Sequence, residues 1–237
     1  MSSRAGTAGT STTKTILALG AHYDDCVFGI PGILVKAARK GHRVVVLTLI
    51  GDYSNFAPAR ERSAELQEGC IEIGREYGAE LRFLGLKGHH FDATVEVTKR
   101  VARVVADVQP DVAFLLSPHD RHGDHVAASR ICENALRHAG PLLDQPAYRP
   151  PSRLYAYDNG PRHTIDFVPD TYVDVTDEWP AAMAWLERTM LLAYGQRGDR
   201  HPSLDLKETL AAYRGKTCGV RYAEAVKGLD AYPQEIF

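Results

Sequence analysis

Two segments far apart in the chain hold residues whose types and spacing could do chemistry. "AHYDDCVFG" (residues 21–29) places His22 just ahead of the adjacent carboxylates Asp24 and Asp25. "SPHDRHGDHVAA" (residues 117–128) brings His119, His122, Asp124 and His125 into one short stretch. Imidazole nitrogens and carboxylate oxygens are ligands for a divalent cation. Two histidines and one carboxylate leave a position open for water, which defines a catalytic and not a structural zinc site. Zinc bound this way lowers the pKa of its water from 15.7 to about 7. A second carboxylate, close but not ligating, can take the proton. Adjacent aspartates suit this division, because neighbouring side chains in an extended turn point in different directions. A further histidine can stabilise the tetrahedral oxyanion or protonate a leaving amine. "HGDH" offers that histidine, with Asp124 between two imidazoles to orient one of them. An aspartate ahead of a helix can also be a plain N-cap. That reading serves Asp24 or Asp124 alone, but does not explain two His/Asp clusters at one sheet edge.

The elements that must position these residues alternate. "KTILALGA" reads as a buried parallel strand and "HRVVVLTLI" as a second, rich in β-branched residues. "ELRFLGL" and "DVAFLLS" follow as strands. Helices are predicted over "GILVKAARKG", from about Ala59 to Tyr77, over "TVEVTKRVARVVADVQP" and over "DHVAASRICENALRHAG", the last closed by Gly140. After the Pro-rich "PLLDQPAYRPPS" the pattern loosens, with strands "RLYAYD" and "TYVDV" and a helix "WPAAMAWLERTMLLAYG". This order predicts an α/β fold: a doubly wound, mostly parallel sheet with helices on both faces, in a single domain over residues 14–237 behind a disordered leader over residues 1–13. Ligands in such sheets bind beyond the carboxyl ends of the strands, near the point where strand order reverses. Both His/Asp clusters lie there.

Composition narrows the class. A net charge of -2 argues against a nucleic-acid surface. Four cysteines without a C-x-x-C pair suggest free thiols in a reducing compartment. No apolar run is long enough to span a membrane and no secretory signal is read, so a cytoplasmic protein is expected.

"AHYDDCVFG" resembles the A-H-P-D-D-E-x-x-G signature of the LmbE-like, or PIG-L, N-acetylglucosaminyl deacetylases, and "HGDH" resembles that family's H-P-D-H. "RSAEL", with Arg62 and Glu65, is similar to its R-x-x-E helix, and "YVDVTD" and "YAEAV" stand where similar late motifs occur. The resemblance implies a Rossmann-like fold, zinc ligands His22, Asp25 and His125, and Asp24 as general base. It further implies His122, oriented by Asp124, as acid or oxyanion stabiliser, and Arg62 as a substrate-binding guanidinium. The implied reaction is removal of an acetyl or other small acyl group from an N-acylated amino sugar or its conjugate. Fe²⁺ or Co²⁺ would also accept these ligands. Tyr23 stands where the family usually has Pro, Cys26 where it usually has Glu, and Gly123 where it usually has Pro. Cys at position 26 is also similar to the archaeal diacetylchitobiose deacetylase branch.

Other residues have plainer readings. His119 is an alternative ligand, His89 and His90 are expected at the surface, and Trp179, Met183 and Trp185 in the core. Tyr53, Asn55 and Phe56 are placed to line a pocket mouth. Arg62 could instead pair with Glu65 or Glu61 on a helix surface. Cys26 as a nucleophile is disfavoured beside two carboxylates. A non-haem Fe(II) oxygenase would use the same two-His-one-carboxylate set, though normally on a double-stranded β-helix. A non-catalytic nucleotide-binding module would normally show G-x-G-x-x-G or a Walker A, and neither is present. Assembly as a homo-oligomer is left open.

Overall fold

The computed structural model describes residues 13–89, 91–195 and 199–232. The leader expected over residues 1–13 and His90 thus fall almost wholly outside the described residues. The strands are β1 (Thr15–Gly20), β2 (Arg43–Asp52), β3 (Ala79–Lys87), β4 (Val112–Leu116), β5 (Arg153–Tyr157), β6 (Thr171–Asp174) and β7 (Ala223–Gly228). They form one sheet in the order β3-β2-β1-β4-β5-β7-β6. The first five run parallel, and β7 is antiparallel to both β5 and β6. The chain steps outward from β1 through β2 to β3, then returns to lay β4 on the other side of β1. The switch point therefore lies between β1 and β4, the two strands that end at the His/Asp clusters. Burial on both faces explains why β1 and β2 read as continuous apolar runs.

The helices are α1 (Asp25–Gly29), α2 (Pro31–Arg39), α3 (Ser63–Glu76), α4 (Val95–Val108), α5 (Gly123–Leu142), α6 (Trp179–Tyr194) and α7 (Pro202–Cys218). Helices α2 and α3 both pack against α6, while α4 and α5 pack against each other, the two-faced arrangement that right-handed crossovers give this strand order. Helix α4 is the clearest case of local control. Thr94 caps it by accepting from the Val97 amide, its stripe Val101, Ala102, Val105 and Val108 is buried, and Gln109 ends it at φ 50°. Helix α5 runs past the expected stop at Gly140 to Leu142, breaking helical dihedrals at His138 instead. Trp179 and Trp185 are buried and Met183 packs against the core, as expected.

The short α1, the long α7 and strand β7 go beyond the sequence expectation. Helix α7 buries Lys207 and Arg214 beside Leu204 and Ala211, so no apolar stripe marks its inner face. Lys207 is 1% and Glu224 of β7 0% exposed. Their side chains meet at 2.8 Å. Glu224 also accepts from the amides of Gly32 and Ile33 at the start of α2, and Lys207 donates to the Gly29 carbonyl. The C-terminal elements thus clamp the turn that follows β1.

Candidate metal centre

The glycines in the first cluster permit close approach. A Cβ on Gly20 would come within 2.8 Å of Asp25 Cβ, and one on Gly29 within 2.3 Å of the Tyr157 ring. With these contacts open, the chain leaving β1 folds at once into α1. The Asp25 carboxylate turns back, and its Oδ2 accepts from the Ala21 and His22 amides at 2.7 Å each. The second cluster leaves β4 and enters α5. There His122 is the N-cap, its Nδ1 accepting from the Asp124 amide at 3.2 Å.

Donor atoms of three residues converge across the switch point. His22 Nδ1 lies 3.1 Å from His125 Nε2, His125 Nε2 lies 3.1 Å from Asp25 Oδ1, and His22 Nδ1 lies 3.6 Å from Asp25 Oδ2. A tetrahedral ion with bonds of 2.0–2.1 Å separates its ligand atoms by about 3.3 Å, so residue-to-residue separations of this size, with either Asp25 oxygen available as the ligand, are compatible with zinc. The far nitrogen of each imidazole faces a carboxylate. His22 Nε2 is 3.2 Å from Asp124 Oδ2 in hydrogen-bonding geometry, and His125 Nδ1 is 3.1 Å from Asp120 Oδ2, an ion-pair distance whose angle falls short of a hydrogen bond. Outer carboxylates of this kind fix the tautomer and ring orientation of a metal-ligating histidine. The groups His22–His122–Asp124 and Asp120–His125–His163 are also compact enough to be considered as ligand sets. Each shares a histidine with the first, and in each the carboxylate is the one that braces that histidine from behind.

The electrostatics follow from this packing. Burial opposes protonation of His22, but hydrogen bonds to Asp124 and Asp25 outweigh it and raise the pKa to about 9. Burial is likewise outweighed at His125, where Asp25 and Asp120 raise it to about 10. Burial would raise Asp25, yet the charge and hydrogen bond of His125 hold it well below the usual carboxylate range. Asp24 goes the other way: burial first, and then the charge of Asp25, push it up to about 6. Burial and the neighbouring His22 and His125 push His122 down to about 4. A neutral His122 whose Nδ1 accepts a backbone N–H carries its own proton on Nε2.

These groups line a cavity of about 430 Å³. His22, Asp24, Asp25, His122, Asp124 and His125 all reach it, as do Tyr53, Asn55 and Phe56 of the expected mouth. Two placements, those of Asp124 and Arg62, differ from the sequence reading. The Asp124 carboxylate braces His22 and accepts from the His89 amide, while its backbone amide reaches His122. His89 lies at the surface, as expected, and from there borders the pocket mouth, stacked on His122 at 5.0 Å between ring centroids. Arg62 lies outside the lining, bonded to Glu65 and to the Leu192 carbonyl at the end of α6. His119 is exposed and outside the lining.

The sequence reading passed over Asp120, although it stands inside the second cluster. It also passed over Asn159, Arg162 and His163 from the segment after β5, and Tyr194 from the end of α6. "YDNGPRH" (residues 157–163) does carry the signal: a polar, glycine-containing stretch at the carboxyl end of a parallel strand.

Tyr23 is buried and meets Tyr53 edge-on at 5.5 Å between centroids, so the place of the family's Pro is filled by an aromatic wall that continues through Phe56 to Tyr194. Cys26 is buried with its sulfur 3.3 Å from the Tyr157 hydroxyl, and burial pushes its thiol well above the ordinary value. Cys70 and Cys132 are buried too, whereas Cys218 is exposed. Titration of the native protein with a thiol reagent should therefore modify Cys218 alone, and all four cysteines only after unfolding. Rapid reaction of a second thiol in the native state would contradict this burial.

A mostly parallel sheet that brings two histidines and two carboxylates to its switch point defines the class: an α/β protein with a His/Asp cluster that could hold a metal ion. The chain belongs to the PIG-L family, described as GlcNAc-PI de-N-acetylase, whose profile matches residues 17–136. It is 25% identical to the diacetylchitobiose deacetylase of Thermococcus kodakarensis over 236 positions, covering 90% of this chain and 82% of that protein. Its fold is similar to that of the N,N'-diacetylchitobiose deacetylase of Pyrococcus horikoshii, with a TM-score of 0.77, 21% identity, and coverage of 92% of this chain and 84% of that one. It is also similar to the 4-carboxy-2-hydroxymuconate hydratase of Pseudomonas putida, with a TM-score of 0.78, 20% identity, and coverage of 95% and 100%. Deacetylases and a hydratase thus stand among the relatives. No helix among the described residues is long and apolar enough to cross a membrane.

Proposed function

We propose that the chain is a zinc-dependent N-deacetylase, which hydrolyses the amide of an N-acetylated (or otherwise short-acylated) amino sugar or its conjugate. The observation that carries this reading is the triangle of His22, Asp25 and His125 donor atoms with Asp24 beside it in one cavity. An ion held by these three residues supplies Lewis acidity to water and to the acyl carbonyl. Asp24 takes a proton from the attacking water as the new C–O bond forms, and returns it to the amine as the C–N bond breaks. A carboxylate pushed up to about 6 suits a group that must both accept and release a proton near neutrality. His122, neutral with its proton on Nε2, donates a hydrogen bond to the carbonyl oxygen as it gains negative charge. Phe56 and Tyr194 offer apolar faces to a sugar ring, and Arg162 brings a guanidinium to the pocket wall. The parallel sheet with helical crossovers is also not the double-stranded β-helix on which an Fe(II) oxygenase normally sits.

The test is acetate release from a panel of N-acetylated amino sugars and glycosides, by protein of measured metal content. About one divalent ion per chain is expected, with activity lost on chelation and restored by zinc. Full turnover by metal-free protein would sink the proposal. Hydration of an unsaturated carboxylic acid with no acetate released from any substrate would place the chain with its hydratase relative.

A further inference from the structure

Asp25 Oδ2 is fixed by two backbone amides at the end of β1, but Oδ1, the oxygen nearer His125, depends on a side chain. Asn159 Nδ2 donates to it at 2.7 Å. A carboxylate only accepts, so the amide of Asn159 must present its NH₂ to Asp25 and turn its oxygen away. That oxygen is buried, with no hydrogen-bond partner among the described residues. An unpaired buried carbonyl carries a desolvation cost, and leucine would have nearly the same shape without it. The one thing asparagine adds here over leucine is its bond to Asp25.

The segment carrying Asn159 is itself braced. Asp158 forms a buried ion pair with Arg214 of α7 at 2.6 Å, and Gly160 at φ 78° turns its amide back to Asp158. The backbone N–H of Asn159 donates to the Thr164 hydroxyl, which donates in turn to Asp120 Oδ2. Asp120 is the carboxylate behind His125. One loop therefore reaches two of the three ligands, Asp25 through Asn159 and His125 through Thr164 and Asp120.

We infer that Asn159 is a positioning residue of the metal centre: its amide sets the orientation of the Asp25 carboxylate, and the Arg214–Asp158 pair holds that amide in place from α7. The inference rests on the metal-site reading proposed above. Its test is zinc affinity, measured by competition with a chromogenic chelator on wild type, Asn159→Leu and Asn159→Ala, beside the unfolding midpoint of each metal-free protein. Asn159→Leu removes the donor to Asp25 and the unpaired oxygen together. Zinc affinity should fall about 10- to 100-fold, the usual effect of losing a partner of a ligand, while the metal-free protein still folds cooperatively, its midpoint lowered only by the lost bond to Asp25. Asn159→Ala should show the same loss of affinity, so that the result does not depend on how leucine packs. Wild-type affinity in either folded variant overturns the inference, as does failure of both variants to fold without metal, which would make Asn159 a structural residue. Failure of the wild-type protein to bind zinc would instead overturn the metal-site reading itself.

Discussion

Asparagine in place of Asp24 should leave the metal content near that of wild type while lowering the rate of amide hydrolysis about 10²- to 10⁴-fold, the usual cost of losing a general base. The replacement has nearly the same size and fits the same turn, but is no longer a carboxylate base. Alanine in place of Asp25 should lose metal and activity together. The reason is that Asp25 Oδ1 lies 3.1 Å from His125 Nε2, at one corner of the ligand triangle, whereas Asp24 is the carboxylate left over beside it. Metal stoichiometry measured alongside the rates separates the two roles. An empty site in Asp24→Asn with a loaded one in Asp25→Ala would exchange the assignments. Loaded and active variants at both positions would move the chemistry elsewhere.

Methionine in place of Lys207 should destabilise the fold by about 3–5 kcal/mol, because it leaves the Glu224 carboxylate buried without its cation. At roughly 2–4 °C per kcal/mol for a chain of this size, the Tm should fall on the order of 10 °C. Glu224 would still accept from the Gly32 and Ile33 amides, but two backbone donors do not neutralise a fully buried charge. Adding Glu224→Gln to Lys207→Met should recover only part of the loss. The amide removes the unpaired charge, yet it can accept at only one of the two backbone N–H groups. Denaturant unfolding of both variants checks this, and a cost below about 1 kcal/mol for Lys207→Met would show that the ion pair contributes little. The site should respond as well, since Lys207 also holds the Gly29 carbonyl at the end of the turn that carries Asp24 and Asp25.

The N-terminal half of the architecture was legible because its signals are local. Thr15–Gly20 and Arg43–Asp52 are central strands buried on both faces, so the sequence shows unbroken apolar runs there. The amphipathic stripe and cap of Val95–Val108 mark a helix in the same way. Pro202–Cys218 has no comparable stripe, because charged residues on its inner face are satisfied by ion pairs with Asp158 and Glu224.

By itself the sequence determined that His22, Asp24, Asp25, His122, Asp124 and His125 come to one edge of a parallel sheet. Each follows a strand whose apolar run ends just before it, and strands in such a sheet all present their carboxyl ends to the same side. Only the tertiary structure decided how the donors are shared. Asp124 turns its carboxylate to His22, Asp120 stands behind His125, and Asn159 reaches Asp25 from 134 positions away. Arg62 faces Glu65 and the Leu192 carbonyl, while Arg162 takes a place on the pocket wall. These choices depend on separations of a few tenths of an ångström between polar groups on different loops. Such contacts have no period along the chain, and they exist only once the sheet has brought the loops together.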